Sequence, residues 1–312
     1  MFAETRRFSS PSGALLAYHH EPARKKPRGT LLICHGMVEH SKRYREFAAT
    51  MAEHGFEVYA HDHRGHGETK STDAPLGRFA ERDGADAVIA DVKAMRDMAS
   101  QENADLPVIL FGHSMGGLIA LNAAVSHPQA FQALAIWNSN FNPGLAGRVA
   151  QGVLLAERML KGSDVPSAIL PKVTFQAWGK SIPGHLSEGD WLSRDRAEVE
   201  KYERDPLCQF EASVSMWLDV FALTFRAPMP GALARLPKDL PIHLVGGGQD
   251  PATRGGQEVQ WLARHLKRNS FHDVTTRIYD EMRHETLNEI GREDATADFA
   301  AWCEKAIDAR RA

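Results

Sequence analysis

Ser114 stands between two glycines in the segment Gly112-His-Ser-Met-Gly116. A short apolar run, Pro107–Phe111, predicts a strand before it, and a helical pattern begins at Met115. A serine at a sharp strand-to-helix turn has close backbone neighbours on both sides, and glycines leave room for them. The N–H groups that open the following helix would face negative charge developing on a substrate. The segment therefore predicts that Ser114 is a nucleophile.

A nucleophilic serine requires a base, and the base requires an acid that orients it. With this kind of turn, the order along the chain is serine, acid and then histidine. Asp250 follows the predicted strand Ile242–Val245, and His284 follows the predicted strand Val274–Tyr279. Because open parallel sheets form their sites beyond the carboxyl ends of their strands, we expect both side chains to lie near Ser114. The sequence predicts a Ser114–Asp250–His284 triad.

The negative oxygen of a tetrahedral intermediate needs two N–H donors. Met115, directly after the predicted nucleophile, is the first candidate. The loop after the predicted strand Thr30–Cys34 reads His-Gly-Met, so the Met37 amide is the second candidate. Backbone groups supply this chemistry, and we expect the reaction to need no cofactor and no metal.

Two sets of possible metal ligands are predicted to be structural. The three cysteines, Cys34, Cys208 and Cys303, lie far apart without a C-x-x-C pair, so neither a disulfide framework nor a zinc site is expected. The cluster of His61, His63 and His66 directly follows a predicted strand. We interpret it as a packed turn rather than a metal site.

The overall charge argues against nucleic acid as a partner. The formal net charge is −3, and phosphate binding needs a concentrated basic face. One basic run, residues 24–28, is consistent with a solvated loop or with contact to anionic lipid headgroups. A signal-peptide pattern and an apolar run of about 18 residues are both missing, so we expect a cytoplasmic protein that contacts a membrane at most transiently.

Short apolar runs alternate with helical patterns on both sides of a central stretch, which predicts βαβ units and a mostly parallel sheet flanked by helices. An early hairpin, around Phe8 and Leu15–His19, is expected at the sheet edge. Residues 1–140 and 231–312 are predicted to form this core, and residues 141–230 a helical cap inserted between its halves. The predicted helices of the core are Lys42–His54, Asp83–Glu102, Met115–His127, Gly256–Arg268 and Glu285–Ala309; its remaining strands are Phe56–His61 and Ala133–Trp137.

The predicted cap leaves the sheet at the edge that carries Ser114 and should therefore cover it. Some residues of its apolar helical faces are expected to line an acyl channel there, with Trp217 and Phe221 as candidate substrate-binding residues. The other apolar residues of these faces are Val153, Leu154, Met159 and Val214.

Four motifs resemble the monoglyceride-lipase/lysophospholipase branch of the α/β hydrolases. They are His35-Gly-Met-Val-Glu-His-Ser-Lys-Arg-Tyr44, Asp62-His-Arg-Gly-His-Gly67, Gly112-His-Ser-Met-Gly-Gly117 and Arg283-His-Glu-Thr-Leu-Asn-Glu289. The resemblance implies an α/β-hydrolase fold with a helical cap, the same triad, acyl-glycerol or lysophospholipid substrates, and no cofactor.

Other functions of the same fold stay open at this point. A small-ester carboxylesterase would use the same triad. An aminopeptidase would also need acidic groups for the substrate ammonium, which the cap offers between Glu188 and Glu203, although basic residues are interspersed among them. A non-catalytic binding protein of this fold is disfavoured because every triad position is intact.

Overall fold

The computed structural model describes residue 2 and residues 4–308. Its centre is one eight-stranded sheet in the order β1-β2-β4-β3-β5-β6-β7-β8. The β1–β2 hairpin is antiparallel and β2 pairs antiparallel with β4, whereas all other neighbours are parallel. The predicted mostly parallel sheet with an edge hairpin is therefore confirmed. The strands are β1 Arg6–Ser9, β2 Leu15–Glu21, β3 Gly29–Cys34, β4 Phe56–His61, β5 Val108–His113, β6 Ala133–Trp137, β7 Ile242–Gly247 and β8 Val274–Tyr279.

Eleven α-helices are found in the described part of the chain, and those of the core cover both faces of the sheet. One apolar cluster joins α2, α3 and α10 to the sheet, and a second joins α1 and α11 to its other face. The helices are α1 Arg45–Glu53, α2 Gly84–Glu102, α3 Met115–Ser126, α4 Gly144–Lys161, α5 Leu170–Val173, α6 Phe175–Ser181, α7 Arg196–Arg204, α8 Val214–Arg226, α9 Pro230–Leu233, α10 Gln257–Arg268 and α11 Arg292–Asp308. None of the described helices is long and apolar enough to cross a membrane.

The largest error in the predicted core elements concerns the last helix, which was expected from Glu285. It begins at Arg292, because Thr286–Asn288 forms a 3₁₀ turn and Gly291 adopts a left-handed φ of 86°. The predicted end at Ala309 lies outside the described residues. The first helix is also shorter than predicted, since Ser41–Tyr44 is a 3₁₀ turn.

Between β6 and β7 the chain is helical, from α4 through α9, and no strand is assigned among these described residues. Leu154, Leu170 and Val214 from this segment are buried in the same apolar cluster as α2 and α3. The segment thus packs on the face of the sheet that α3 covers. It follows directly on the strand next to the one that leads to Ser114.

Candidate active site

Ser114 occupies the turn between β5 and α3 in a strained backbone conformation, with φ 55° and ψ −121°. The flanking glycines are needed because the chain segments are closely packed around the turn. A Cβ atom at Gly112 would lie 2.2 Å from the carbonyl oxygen of Gly116, and one at Gly116 would lie 2.1 Å from that of Cys34. The turn projects the serine from the carboxyl end of the strand, as a nucleophile elbow does.

The structure brings the three predicted triad residues together. The Nε2 atom of His284 lies 2.9 Å from Ser114 Oγ, and its Nδ1 atom lies 3.0 Å from Asp250 Oδ2. Asp250 follows β7 and His284 follows β8, so both approach the serine from the carboxyl edge of the sheet. With the imidazole proton on Nδ1, the Nε2 atom is free to accept the serine proton.

Asp250 is fully buried and held by several donors. Its Oδ2 atom also accepts hydrogen bonds from Thr253 Oγ1 at 2.8 Å and Asn138 Nδ2 at 3.2 Å, while Oδ1 accepts one from the Ala252 amide at 2.9 Å. Burial alone would raise the pKa of Asp250, but the charge of His284 and these hydrogen bonds outweigh burial and lower it. The carboxylate is therefore ionised at neutral pH and fixed in orientation.

The two candidate oxyanion donors belong to residues beside the serine. Met37 and Met115 line one cavity together with Ser114. Within the described part of the chain, neither of their amides donates a hydrogen bond to another protein group. Both N–H groups are thus available to a substrate oxygen.

The cavity in front of Ser114 has a volume of about 170 Å³ and is mostly apolar. Trp217 and Phe221, the two candidate substrate-binding residues, both line it. The Trp217 indole is 5% exposed, and its N–H has no hydrogen-bond partner among the described residues. The remaining lining residues are Leu118, Asn138, Asn140, Pro143, Thr174, Phe175, Trp178, Val220, Thr224, Ala252 and His284.

Some apolar residues of the inserted helices were expected to line this channel; Trp217 and Phe221 of α8 do so, whereas the apolar residues of α4 do not. Met159 is 87% exposed, Leu154 is buried in the core cluster, and Val153 is not among the lining residues. Val214, from the other predicted face, is also buried in the core cluster. The helical period showed that α4 is amphipathic, but not which of its faces meets the cavity. The segment Thr174–Trp178 lines the cavity instead.

Comparison with known proteins places the chain in a family. The profile of the family described as "Serine aminopeptidase, S33" matches residues 25–291. The chain belongs to this family. A monoacylglycerol lipase of Mycolicibacterium smegmatis is 26% identical, with 95% of each chain covered. The human monoglyceride lipase is 27% identical over 85% of this chain and 78% of its own length. A thermostable carboxyl esterase of Bacillus coagulans, solved with glycerol, shares the fold at a TM-score of 0.86 and 24% identity, with 97% and 98% of the two chains covered.

These relatives confirm the predicted monoglyceride-lipase branch of the α/β hydrolases and a serine hydrolase that cleaves carboxylic esters. The predicted α/β-hydrolase fold is confirmed as well.

One contact of this S33-family hydrolase was not anticipated from its sequence. Trp191, from the segment between β6 and β7, packs against His284 with ring centroids 4.6 Å apart. Backbone hydrogen bonds strengthen the contact: the Glu285 amide donates to the Leu192 carbonyl at 2.7 Å and the His284 amide to that of Trp191 at 3.3 Å. The loop that carries the histidine is therefore fixed from the inserted segment. No local sequence signal marks Trp191, because it lies between helices.

A buried ionic network behind the histidine was also missed. Glu39 contacts His113 at 3.3 Å and accepts a hydrogen bond from Arg43 at 2.9 Å, and Arg43 also donates to Glu285 at 2.7 Å. Burial alone would raise the pKa of Glu39, but His113 and Arg43 hold it well below its usual range. Burial would lower the pKa of His113, but Glu39 outweighs it and raises that pKa. Because His113 Nε2 lies 3.0 Å from the His284 carbonyl oxygen, the network positions the predicted base.

The ligand atoms of His61, at the end of β4, and of His63 and His66 beyond it do not converge on a common point as those of a metal site would. The three histidines pack as aromatic rings, with His61 and His63 centroids 4.8 Å apart, and His66 against Phe79 at 5.9 Å. Burial lowers the pKa of His61 to about 4 and that of His66 to about 3. These imidazoles are neutral at pH 7, which is in keeping with the packed turn that we expected.

Proposed function

We propose that the protein is a monoacylglycerol lipase or lysophospholipase that acts through an acyl-enzyme on Ser114. In this proposal His284 is the general base, Asp250 holds its tautomer and orientation, and the Met37 and Met115 amides bind the oxyanion. The distances from His284 to Ser114 Oγ and to Asp250 Oδ2, 2.9 Å and 3.0 Å, support these roles.

The reaction follows from this geometry. As Ser114 Oγ attacks the ester carbonyl carbon, its proton passes to His284 Nε2, and the carbonyl oxygen becomes negative between the two amides. The tetrahedral intermediate collapses to the acyl-enzyme, and His284 gives its proton to the departing alcohol. Water then repeats the sequence on the acyl-enzyme and releases the fatty acid. Every proton in the cycle comes from substrate, water or these side chains.

The apolar cavity at Ser114 is the observation that favours a fatty acyl substrate most directly. Apolar side chains dominate its lining, and no aspartate or glutamate is among the lining residues. An acyl chain would bury methylenes there at a gain of about 0.8 kcal/mol each. A charged acyl or aminoacyl group would lose hydration without gaining a partner. The cavity therefore favours an aliphatic chain.

A hydrolysis panel tests the proposal. It consists of p-nitrophenyl esters from acetate to palmitate, a monoacylglycerol and lysophosphatidylcholine. We expect kcat/KM to rise from acetate to medium or long acyl chains and at least one of the two lipids to be hydrolysed. If acetate is the best ester and neither lipid is cleaved, the protein is a small-ester carboxylesterase instead. Faster hydrolysis of the monoacylglycerol would identify a monoacylglycerol lipase, and faster hydrolysis of lysophosphatidylcholine would identify a lysophospholipase.

We further propose that residues 141–230 form the cap over the site and that α4 is its membrane-facing surface. Its exposed apolar side chains fall within about 140° of the helix circumference at roughly 100° per residue. They are Leu145, Val149, Leu155, Met159 and Leu160, of which Leu145, Met159 and Leu160 are at least 80% exposed. Such an apolar stripe is typical of a helix that lies on a bilayer surface.

The basic run is a weaker candidate for membrane contact. Arg24 pairs with Glu21 and Glu53, and Arg28 pairs with Glu304 and Asp308. Flotation with vesicles of phosphatidylcholine and anionic phosphatidylserine separates the two surfaces, because the basic run would bind only anionic headgroups. We expect Leu145→Ser/Met159→Ser to abolish flotation and Arg24→Gln to leave it unchanged, and the reverse would refute the assignment to α4. A cytoplasmic site of action stays a prediction, for which cell fractionation is the test.

The family's description gives aminopeptidase activity as the second candidate. Among the described residues, a candidate place for a substrate ammonium is a cavity of about 480 Å³ that shares Phe175 and Trp217 with the acyl cavity. Its lining includes Glu188, Glu203 and Glu211. Hydrolysis of alanine or proline p-nitroanilide at a rate near that of the best ester would favour this function. We expect no measurable turnover of either anilide.

A further inference from the structure

Three potential metal ligands of different chemistry meet where the inserted segment contacts the sheet domain. His40 lies in the loop after β3, while Asp205 and Cys208 lie between α7 and α8. Their ligand atoms all lie within 4.8 Å of one another. The closest pair, His40 Nε2 and Asp205 Oδ2, is 2.8 Å apart. An imidazole, a carboxylate and a thiol thus approach a common point from two separate parts of the chain.

The local backbone fixes the two ligands from the inserted segment. Asp205 Oδ1 accepts a hydrogen bond from the Leu207 amide at 2.9 Å, which caps the 3₁₀ turn Pro206–Cys208. The Cys208 amide donates to the Asp205 carbonyl at 2.9 Å. Because Asp205 Oδ1 accepts the hydrogen bond within the turn, the other carboxylate oxygen, Oδ2, is left to face His40. Two of the three ligands are therefore in place before any ion binds, which lowers the entropic cost of binding.

Burial and access also suit an ion. His40 is 4% and Cys208 2% exposed. A neighbouring cavity of about 300 Å³ is lined by His40 and Asp205 and offers a path from solvent. A fourth ligand, water, can enter by that path, as in zinc sites with three protein ligands.

The charge around the cluster is negative despite Arg43. Two carboxylates neutralise this guanidinium, because it pairs with both Glu39 and Glu285. Asp205 adds a further negative charge. Of the other cations that line the neighbouring cavity, Lys42 and Lys201 pair with Glu68 and Glu198, and Arg45 is exposed to solvent. A divalent cation would offset this excess of carboxylates.

We propose that His40, Asp205 and Cys208 bind one divalent cation of the zinc class and that the ion ties the inserted segment to the sheet domain. Sulfur and imidazole ligands select zinc or cobalt over magnesium and calcium, which prefer oxygen. On binding, the Cys208 S–H bond breaks, a sulfur–metal bond forms and the proton leaves to solvent, while the metal stays divalent. The ion takes no part in ester hydrolysis, so its binding can be tested apart from the proposed reaction.

Cobalt titration of the whole, chelator-treated protein tests the site. We expect one equivalent of Co²⁺ to bind and to produce a near-ultraviolet thiolate-to-cobalt charge-transfer band. Cys208→Ser should remove the band, whereas Cys303→Ser, the matched control at a buried cysteine of α11, should keep it. His40→Gln and Asp205→Asn should each weaken binding at least about tenfold, since even outer-shell partners of a metal contribute that much.

X-ray absorption of the zinc-loaded wild type gives a result that does not depend on the folding of any variant. We expect one sulfur at about 2.3 Å and the remaining ligands, nitrogen or oxygen, at about 2.0–2.2 Å. Zinc should also raise the melting temperature of the wild type but not of Cys208→Ser. A coordination shell without sulfur, a charge-transfer band that persists in Cys208→Ser, or no saturable binding would overturn the proposal.

Discussion

Replacing Asp250 by asparagine should abolish most turnover while leaving the fold in place. The carboxylate accepts hydrogen bonds at both oxygens: Oδ2 from His284, Thr253 and Asn138, and Oδ1 from the Ala252 amide. An amide has only one oxygen. One side of the new side chain must therefore present an NH₂ group to a donor.

Either orientation of the amide is unfavourable for catalysis. If its NH₂ group faces His284, the ring must accept at Nδ1 and carry its proton on Nε2, so it can no longer accept the proton of Ser114. If the oxygen faces His284, the NH₂ group meets the Ala252 N–H, which lies 2.9 Å from Oδ1 in the wild type. The second orientation satisfies three of the four buried donors and the first only one, but both lose the negative charge that stabilises the imidazolium form of His284. We therefore expect kcat to fall about 10⁴-fold, which corresponds to about 5.4 kcal/mol of transition-state stabilisation.

The assay is kcat and KM on p-nitrophenyl octanoate, with the melting temperature of each variant measured in parallel. Asp294→Asn, the same chemical change at an exposed position of α11, is the matched control and should be active. An Asp250→Asn variant that folds and retains more than a tenth of wild-type kcat would refute the orienting role of Asp250.

Three further predictions concern the acyl cavity, acid stability and chelation. Trp217→Ala and Phe221→Ala should flatten the rise of kcat/KM with acyl length while sparing acetate hydrolysis. The control Leu186→Ala, at a residue that is 80% exposed, should keep the wild-type rise. Equal losses on all chain lengths in the two cavity variants would contradict the acyl role. Since burial lowers the pKa of His61 to about 4 and that of His66 to about 3, the unfolded chain takes up protons below about pH 6.5 before the folded chain does. The free energy of unfolding should therefore fall by about 2 kcal/mol per histidine between pH 8 and pH 5, and urea unfolding curves that coincide at the two pH values would contradict this. EDTA should not reduce esterase activity, and a loss that zinc restores in Cys208→Ser as well as in the wild type would contradict the metal-free mechanism.

The sequence was most informative where backbone geometry restricts residue types. Gly112 and Gly116 predicted the turn because side chains there would collide with neighbouring backbone. Asp250 and His284 could be assigned because parallel strands end at one edge of the sheet, where chain order and position leave few candidates. The positions of these side chains depend on regular elements that hydrophobic periodicity predicts well.

The inserted segment was less predictable because its contacts are not periodic. Trp191 reaches His284 from a stretch between helices, where no spacing rule applies. Met159 lies on an apolar helical face, yet that face is turned to solvent. Periodicity shows that a helix has an apolar side, but the partner of that side depends on how the whole segment packs. The Glu39–Arg43–Glu285 network was also missed, because Glu285 lies far from the other two residues in the chain and no spacing pattern joins it to them.

Labelling by a fluorophosphonate probe tests the central claim most directly, since the probe reacts only with an activated serine. Mass spectrometry of the labelled wild type should place the modification on Ser114. Ser114→Ala should neither react with the probe nor hydrolyse esters above the small residual rate that an oxyanion hole alone supports. Labelling at another serine, or ester turnover that survives in Ser114→Ala, would contradict the account.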